Sequence, residues 1–234
     1  MNIIITGASS GVGFEAALEL AAHSNVNIIA LARTEERLAK LAGINEQLNP
    51  GSKLYAIAFD IFSGDYEGGL LPFVKQIFGK VDILINNAGE LINKPFAELN
   101  ITDFDHMMHS NLYGHIRMIQ QLLPYFSENA HVLNIGSMGG FQGSVKFPGL
   151  VSYSASKAAL HNLTECLAEE LKEQKIKVNC LALGSAQTEM LEKAFPGYQA
   201  PVLAFEMGKY IADFAITGHK FFNGKIIPVA TTTP

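Results

Sequence analysis

The residues of this 234-residue chain best suited to moving a proton lie between positions 137 and 157. Tyr153 and Lys157, in the run Tyr153-Ser154-Ala155-Ser156-Lys157, stand four apart and so share one face of a helix. A phenol ordinarily titrates near 10, and a neighbouring ammonium favours its ionised form. Drawing it about 2–3 units toward neutrality takes about 3–4 kcal/mol of differential stabilisation and yields an acid–base group suited to pH 7. Ser137, at the end of the run Leu133-Asn134-Ile135-Gly136-Ser137, adds a hydroxyl that can steady developing charge on an oxygen. Spacing alone does not distinguish such a Tyr–Lys pair from a half-exposed helix face. Its position after the other motifs carries the weight.

The first of those motifs opens the chain. Ile3-Ile4-Ile5 runs into Thr6-Gly7-Ala8-Ser9-Ser10-Gly11-Val12-Gly13, and a helical pattern follows. Glycines after a strand let the backbone turn tightly and approach a pyrophosphate, while the helix N-terminus offers unpaired N–H groups and the positive end of its dipole. Gly7, Ser9, Ser10, Gly11, Val12 and Gly13 are therefore candidate dinucleotide contacts, although the spacing is GxxxGxG rather than GxGxxG. The second apolar run ends Leu31-Ala32-Arg33, with no carboxylate to take up a ribose 2′-hydroxyl. Arg33 can grip a 2′-phosphate or stack on adenine, which favours NADP, with NAD as the alternative; a solvated arginine is the plain reading. Arg37, one turn on, either assists or faces water. Asp60, with Ile61 beside it, ends the third run and reads equally as an adenine contact or as a turn aspartate. Asn86-Asn87-Ala88-Gly89 ends the fourth run, at the carboxyl side of the sheet where ligands of such folds bind.

These groups need a scaffold, and the sequence supplies it. Apolar runs at residues 3–6, 26–32, 53–59, 81–85, 131–135, 176–181 and 225–229 mostly lack polar alternation, as strands covered on both faces do. Helical patterns at 14–20, 35–48, 102–126 and 154–174 lie between them. The alternation predicts an α/β fold with one doubly wound parallel sheet, and the length predicts a single domain spanning 1–234. Gly68-Gly69 and Gly139-Gly140 read as turns. Apolar residues make up 48% and charged residues 17%, a globular balance. With 17 Lys and Arg against 22 Asp and Glu, the net charge of −5 argues against a nucleic-acid partner. Cys166 and Cys180 read as two buried free thiols, no metal site is apparent, and no apolar run approaches a bilayer span. With no leader-like segment before the first strand, the expectation is a cytoplasmic protein with no membrane partner.

Taken in order, the glycine loop, Asp60, Asn86 to Gly89, Asn111, Ser137 and the Tyr153–Lys157 pair resemble the short-chain dehydrogenase/reductase family, over nearly the whole length. The resemblance implies a Rossmann-type sheet of seven strands in the order 3-2-1-4-5-6-7. It implies an NAD(P)-dependent oxidoreductase of the carbonyl reductase or alcohol dehydrogenase type, acting on a small carbonyl or alcohol. Asn111, Ser137, Tyr153 and Lys157 would be catalytic. Tyr153 would exchange the proton and Ser137 would bind the substrate oxygen. Lys157 would hold the nicotinamide ribose and lower the tyrosine's pKa, and Asn111 would hold a water linking Lys157 to solvent. Asn87, Ala88, Gly89, Gly184 and Thr188 would line the cofactor, together with Tyr153 and Lys157. The family implies a homodimer or homotetramer built through residues 102–126 and 154–174.

Two departures stand out. Leu183 occupies the place of an expected proline before Gly184, and the loop from 139 to 149 is longer than expected. Substrate walls are predicted at 90–96, 138–152 and 184–200, through Leu91, Met138, Phe141, Phe147, Leu150, Met190, Leu191, Phe195 and Tyr198. Their apolar balance predicts an apolar or weakly polar carbonyl, and the short 188–200 stretch an open pocket. A non-catalytic dinucleotide sensor would use the same fold, but it would need none of the four catalytic residues. A nucleotide-sugar epimerase or dehydratase would need a longer C-terminal region.

Overall fold

The computed structural model describes residues 1–231. Seven parallel strands form its main sheet: β1 (Asn2–Thr6), β2 (Asn27–Ala32), β3 (Lys53–Ala58), β4 (Val81–Asn86), β5 (Phe126–Ser137), β6 (Lys177–Leu183) and β9 (Ile226–Val229). Their order is β3-β2-β1-β4-β5-β6-β9. This is the predicted arrangement. The seventh strand is ninth in the chain because two-residue strands β7 (Ala186–Gln187) and β8 (Val202–Leu203) pair separately beyond the sheet.

The strand residues alternate between two cores. Ile3 and Ile5 of β1 join Ile28, Ala30, Ile83 and Ile85 on one face, and Ile4 joins Ile29, Leu31 and Leu84 on the other. Both faces are covered, which explains the unbroken apolar runs. The first face is covered by α1 (Gly11–Ala21), α2 (Glu35–Leu48) and α8 (Ala204–Thr217) through Ala16, Leu20, Leu38, Leu41, Ile211 and Ala215. The second is covered by α3 (Leu71–Ile77), α5 (Gly114–Leu122) and α6 (Val151–Glu170) through Val74, Met118, Leu122 and Ala168.

Several local expectations are corrected. The pattern read as one helix over 102–126 is α4 (Ile101–Met108), a π-helical turn at His109–Tyr113 that contains Asn111, and then α5. Gly68 and Gly69 lie in another π-helical turn, Tyr66–Leu70, where Asp65 Oδ1 accepts the Gly68 N–H at 2.9 Å. The helices α3 and α8 have no counterpart among the expected helical patterns. Cys180 is buried as expected, but Cys166 is exposed on α6. Among the described residues no helix is long and apolar enough to cross a membrane.

Candidate active site

The carboxyl ends of the strands open on one cleft of about 770 Å³. At one end, Thr6 and the glycine loop are bound to the Asn86–Gly89 segment. The Thr6 Oγ1 accepts both the Asn87 and the Ala88 N–H at 3.0 Å, and the Asn87 amide donates to Thr6 O at 2.9 Å and Gly7 O at 3.1 Å. The approach is closer than any side chain permits. A Cβ on Gly7, whose φ is +68°, would stand 2.6 Å from Ala88 Cα, and one on Gly13 would stand 2.1 Å from Asn87 Nδ2. The following helix, α1, has no side-chain cap and no acidic residue in its first turn. Its N–H groups and the positive end of its dipole therefore face the cleft unanswered, as an anionic pyrophosphate requires.

The other end holds the proton-transfer groups. Ser137 ends β5, where its Oγ accepts the Gly139 N–H at 3.1 Å. Tyr153 and Lys157 face the cleft from the first turns of α6. Burial pushes the Tyr153 phenol above its ordinary value, and hydrogen bonding to Ser137 pulls the other way without cancelling it. The expected lowering by Lys157 is thus not met in the free protein. Lys157 is itself buried and has no carboxylate partner among the described residues. Its Nζ donates to Ile135 O at 2.8 Å, and burial draws its pKa down to about 8. Beneath these groups an amide ladder locks β4, β5 and α6 in register: Asn86 donates to Asn134 at 2.9 Å, and Asn134 to Thr164 at 2.9 Å.

Asn111 is not on the cleft wall. It is fully buried behind it, with Oδ1 accepting the Glu90 N–H at 2.9 Å and Nδ2 donating to Glu90 O and to Ser156 Oγ, each at 3.0 Å. Both amide hydrogens are committed, so a water link to Lys157 would have to use the second lone pair of Oδ1 or the Asn111 backbone.

Gly7, Ser9, Ser10, Gly11, Val12, Gly13, Arg33, Asp60, Ile61, Asn87, Ala88, Gly89, Gly184 and Thr188 all line the cleft. Asp60 also serves the turn, since its Oδ1 accepts the N–H groups of Phe62 at 2.8 Å and Ser63 at 3.2 Å. Burial alone would raise its pKa; those bonds and the nearby Arg33 outweigh it and hold the carboxyl below its usual value. The Thr188 Oγ1 caps the short helix α7 (Glu189–Ala194) by accepting the Leu191 N–H at 3.3 Å, and its hydroxyl hydrogen is free to donate. Leu183 continues the ladder, opposite Ser137 on one side and Val229 on the other, and presents an apolar side chain where proline was expected. Of the predicted wall residues, Leu91, Met138, Phe147, Leu150, Met190, Leu191, Phe195 and Tyr198 line the cleft. Phe141 does not; its ring packs edge-on to His161, with centroids 6.4 Å apart.

From the sequence, Glu90 does not stand out as a charged group and the role of Arg37 stays open. Glu90 follows Gly89 and sat within a predicted substrate wall, yet its carboxylate pairs with Arg33 and with His106, each at 2.5 Å. Arg37 does not simply face water; it pairs with Glu189 of α7 at 3.0 Å.

A family model described as short chain dehydrogenase matches residues 1–199. The chain belongs to this family. Among relatives in it, a 3-oxoacyl-acyl-carrier-protein reductase of Thermotoga maritima is 33% identical over 192 residues, covering 81% of this chain and 76% of that protein. An uncharacterized oxidoreductase of Staphylococcus epidermidis is 31% identical over 191 residues, covering 81% and 79%. Among solved structures, a 7α-hydroxysteroid dehydrogenase complexed with NADH and 7-oxo glycochenodeoxycholic acid superposes with a TM-score of 0.87 at 25% identity, covering 99% of this chain and 93% of that one. A short chain dehydrogenase of Burkholderia cenocepacia in complex with NADP gives 0.83 at 26% identity, covering 97% and 95%. The protein is thus an oxidoreductase of the dinucleotide-binding short-chain type.

Proposed function

We propose that this protein is an NADP(H)-dependent oxidoreductase that interconverts a carbonyl compound and the corresponding secondary alcohol, with Tyr153 as its general acid–base. The observation that carries this reading is one cleft that joins an uncapped helix N-terminus and glycine loop to Ser137, Tyr153 and Lys157. A bound nicotinamide would supply or accept hydride at the substrate carbon. The glycine loop and the α1 N-terminus would hold its pyrophosphate, and Arg33 a 2′-phosphate. Lys157 would hold ribose hydroxyls.

The chain's own groups handle the oxygen. In reduction, the Tyr153 hydroxyl gives its proton to the carbonyl oxygen while the Ser137 hydroxyl donates a hydrogen bond to the same atom. A phenol raised by burial starts this step protonated. The Lys157 ammonium then offsets the negative charge left on the phenolate. Asn111 acts as a positioning residue, fixing Glu90 and Ser156 around that centre. Met138, Phe147, Leu150, Met190 and Phe195 favour an apolar or weakly polar substrate. By family, the working form is a homodimer or homotetramer; light scattering at working concentration should give a multiple of the 25.4 kDa chain mass, and a monomer would refute this.

The test is NADPH oxidation across aldehydes, ketones, quinones and 3-oxoacyl thioesters. Wild type should turn over apolar members of the set, and Tyr153→Phe should lose at least about 100-fold in kcat while binding NADPH nearly as well. Unchanged turnover in the variant would refute the tyrosine's role, and a preference for small anionic acids would refute the substrate class. Tight NADPH binding with no turnover of any substrate would favour a dinucleotide sensor instead.

A further inference from the structure

Both arginines that line the cleft are already paired with carboxylates. Arg33 Nη2 meets Glu90 Oε1 at 2.5 Å, and Arg37 Nη1 meets Glu189 Oε2 at 3.0 Å. Asp60, held below its usual value chiefly by the N–H groups of Phe62 and Ser63, also feels the Arg33 charge. The adenosine end thus carries two guanidinium charges against three carboxylates, with His106 on the second Glu90 oxygen. Such a surface is not a ready phosphate site. A 2′-phosphate that reaches Arg33 must take it from Glu90 and then lie beside the carboxylate it displaced.

The backbone keeps Glu90 from withdrawing. Its N–H and C=O are both bonded to the Asn111 side chain, which is buried and tied in turn to Ser156 of α6. The carboxylate can rotate, but its root is fixed at the mouth of the cleft.

We propose that Glu90 is a specificity-determining residue that weakens the preference for a 2′-phosphorylated dinucleotide by competing with the phosphate for Arg33. An unphosphorylated ribose offers hydroxyls that can donate to the same carboxylate, so Glu90 opposes one cofactor and tolerates the other. Wild-type protein therefore uses both NADPH and NADH, with a narrower margin than Arg33 alone would give. This inference rests on the dinucleotide reading above and on Arg33 as the phosphate contact.

Calorimetric titration with adenosine 2′,5′-bisphosphate and adenosine 5′-monophosphate tests it without turnover. Glu90→Gln keeps the side-chain shape and removes the charge. It should tighten the bisphosphate at least about tenfold, which is about 1.4 kcal/mol, and leave the monophosphate within about twofold. The gain should vanish when Arg33→Ala is added. Glu90→Ala carries the same expectation, and thermal melts of both variants identify any loss of fold. Unchanged bisphosphate affinity, weaker affinity, or equal tightening of both nucleotides would overturn the role of Glu90 and leave the dinucleotide reading standing. Failure of folded wild-type protein to bind either nucleotide, or NADPH, would overturn both.

Discussion

The charge of Lys157 depends on pH in a range where the protein can be assayed. Burial draws its pKa from 10.5 to about 8. A lysine shifted downward is cationic below that value and neutral above it, so the ammonium is largely present at pH 7 and lost as pH rises through about 8. Dinucleotide affinity and the rate of carbonyl reduction should both fall over that interval, and Lys157→Met should be low at every pH with no step there. A step that survives in Lys157→Met would assign the titration to another group. Tyr153 and Lys157 were legible in the sequence because a fourfold spacing is a local pattern and the motifs around it come in a fixed order. The Arg33–Glu90 pair was not, because its partners stand 57 positions apart and only the fold brings β2 and the β4 loop together. Gly13 lies between these cases. Its place in the loop was visible, but the reason for it, an Asn87 amide where its Cβ would be, required coordinates.

At the scale of elements, α7 is the least supported part of the site. Six residues are too few for a helix to hold itself together in water. It depends on the Thr188 cap, on Asn93 Nδ2 donating to Ala194 O at 2.6 Å, on the exposed Arg37–Glu189 pair and on the two-residue β7–β8 pairing. An exposed ion pair adds at most about 1 kcal/mol. The amides of α7 should therefore exchange with deuterium far faster than those of β5, and bound dinucleotide should slow them, since Thr188 lies over Gly11 in the cleft. Protection of α7 equal to that of β5 in the free protein would contradict this. The strands were legible because two covered faces leave an apolar run with little else in it. The helices were less so. The turn at His109–Tyr113 follows the helical pattern closely enough to hide in it, although it reorients Asn111. Gly68-Gly69 and Gly208 have the composition of breaks, yet each lies within a helical segment. At Gly208 the reason is close packing, since a Cβ there would stand 2.5 Å from Glu15 Cβ on α1.

Taken whole, the molecule has an acid sensitivity that none of its motifs announces. Burial draws His115 down to about 3 and His131 and His161 down to about 4, so all three are neutral when folded at pH 7. The network at His131 fixes its tautomer. Nδ1 donates to Ala215 O at 2.9 Å, while Nε2 accepts from the Asn179 amide at 3.2 Å. That amide cannot simply turn round, because it also donates to Phe222 O at 3.0 Å and its oxygen accepts the Lys225 N–H at 3.2 Å. A second proton on His131 would therefore set donor against donor where β5, β6 and α8 meet. Unfolded, the three imidazoles take up protons near pH 6.5, and folded they do so only near 3–4. The unfolded state thus binds more protons throughout that interval, and stability must fall as pH drops through it. The carboxyls held low, Asp60, Glu90, Asp103 and Glu128, act mainly around and below their ordinary values of 3.8 and 4.5, while Glu15, raised by burial, works in the opposite direction. Reversible melts should accordingly show a falling midpoint already between pH 6.5 and 5, above the main carboxylate range, with up to three protons from these histidines and part of a fourth from His219, which burial also lowers, taken up on unfolding. His131→Gln should shallow that slope by about one proton. A midpoint that stays level from pH 6.5 to 5 would mean that these histidines are reached by water and charge without opening the fold.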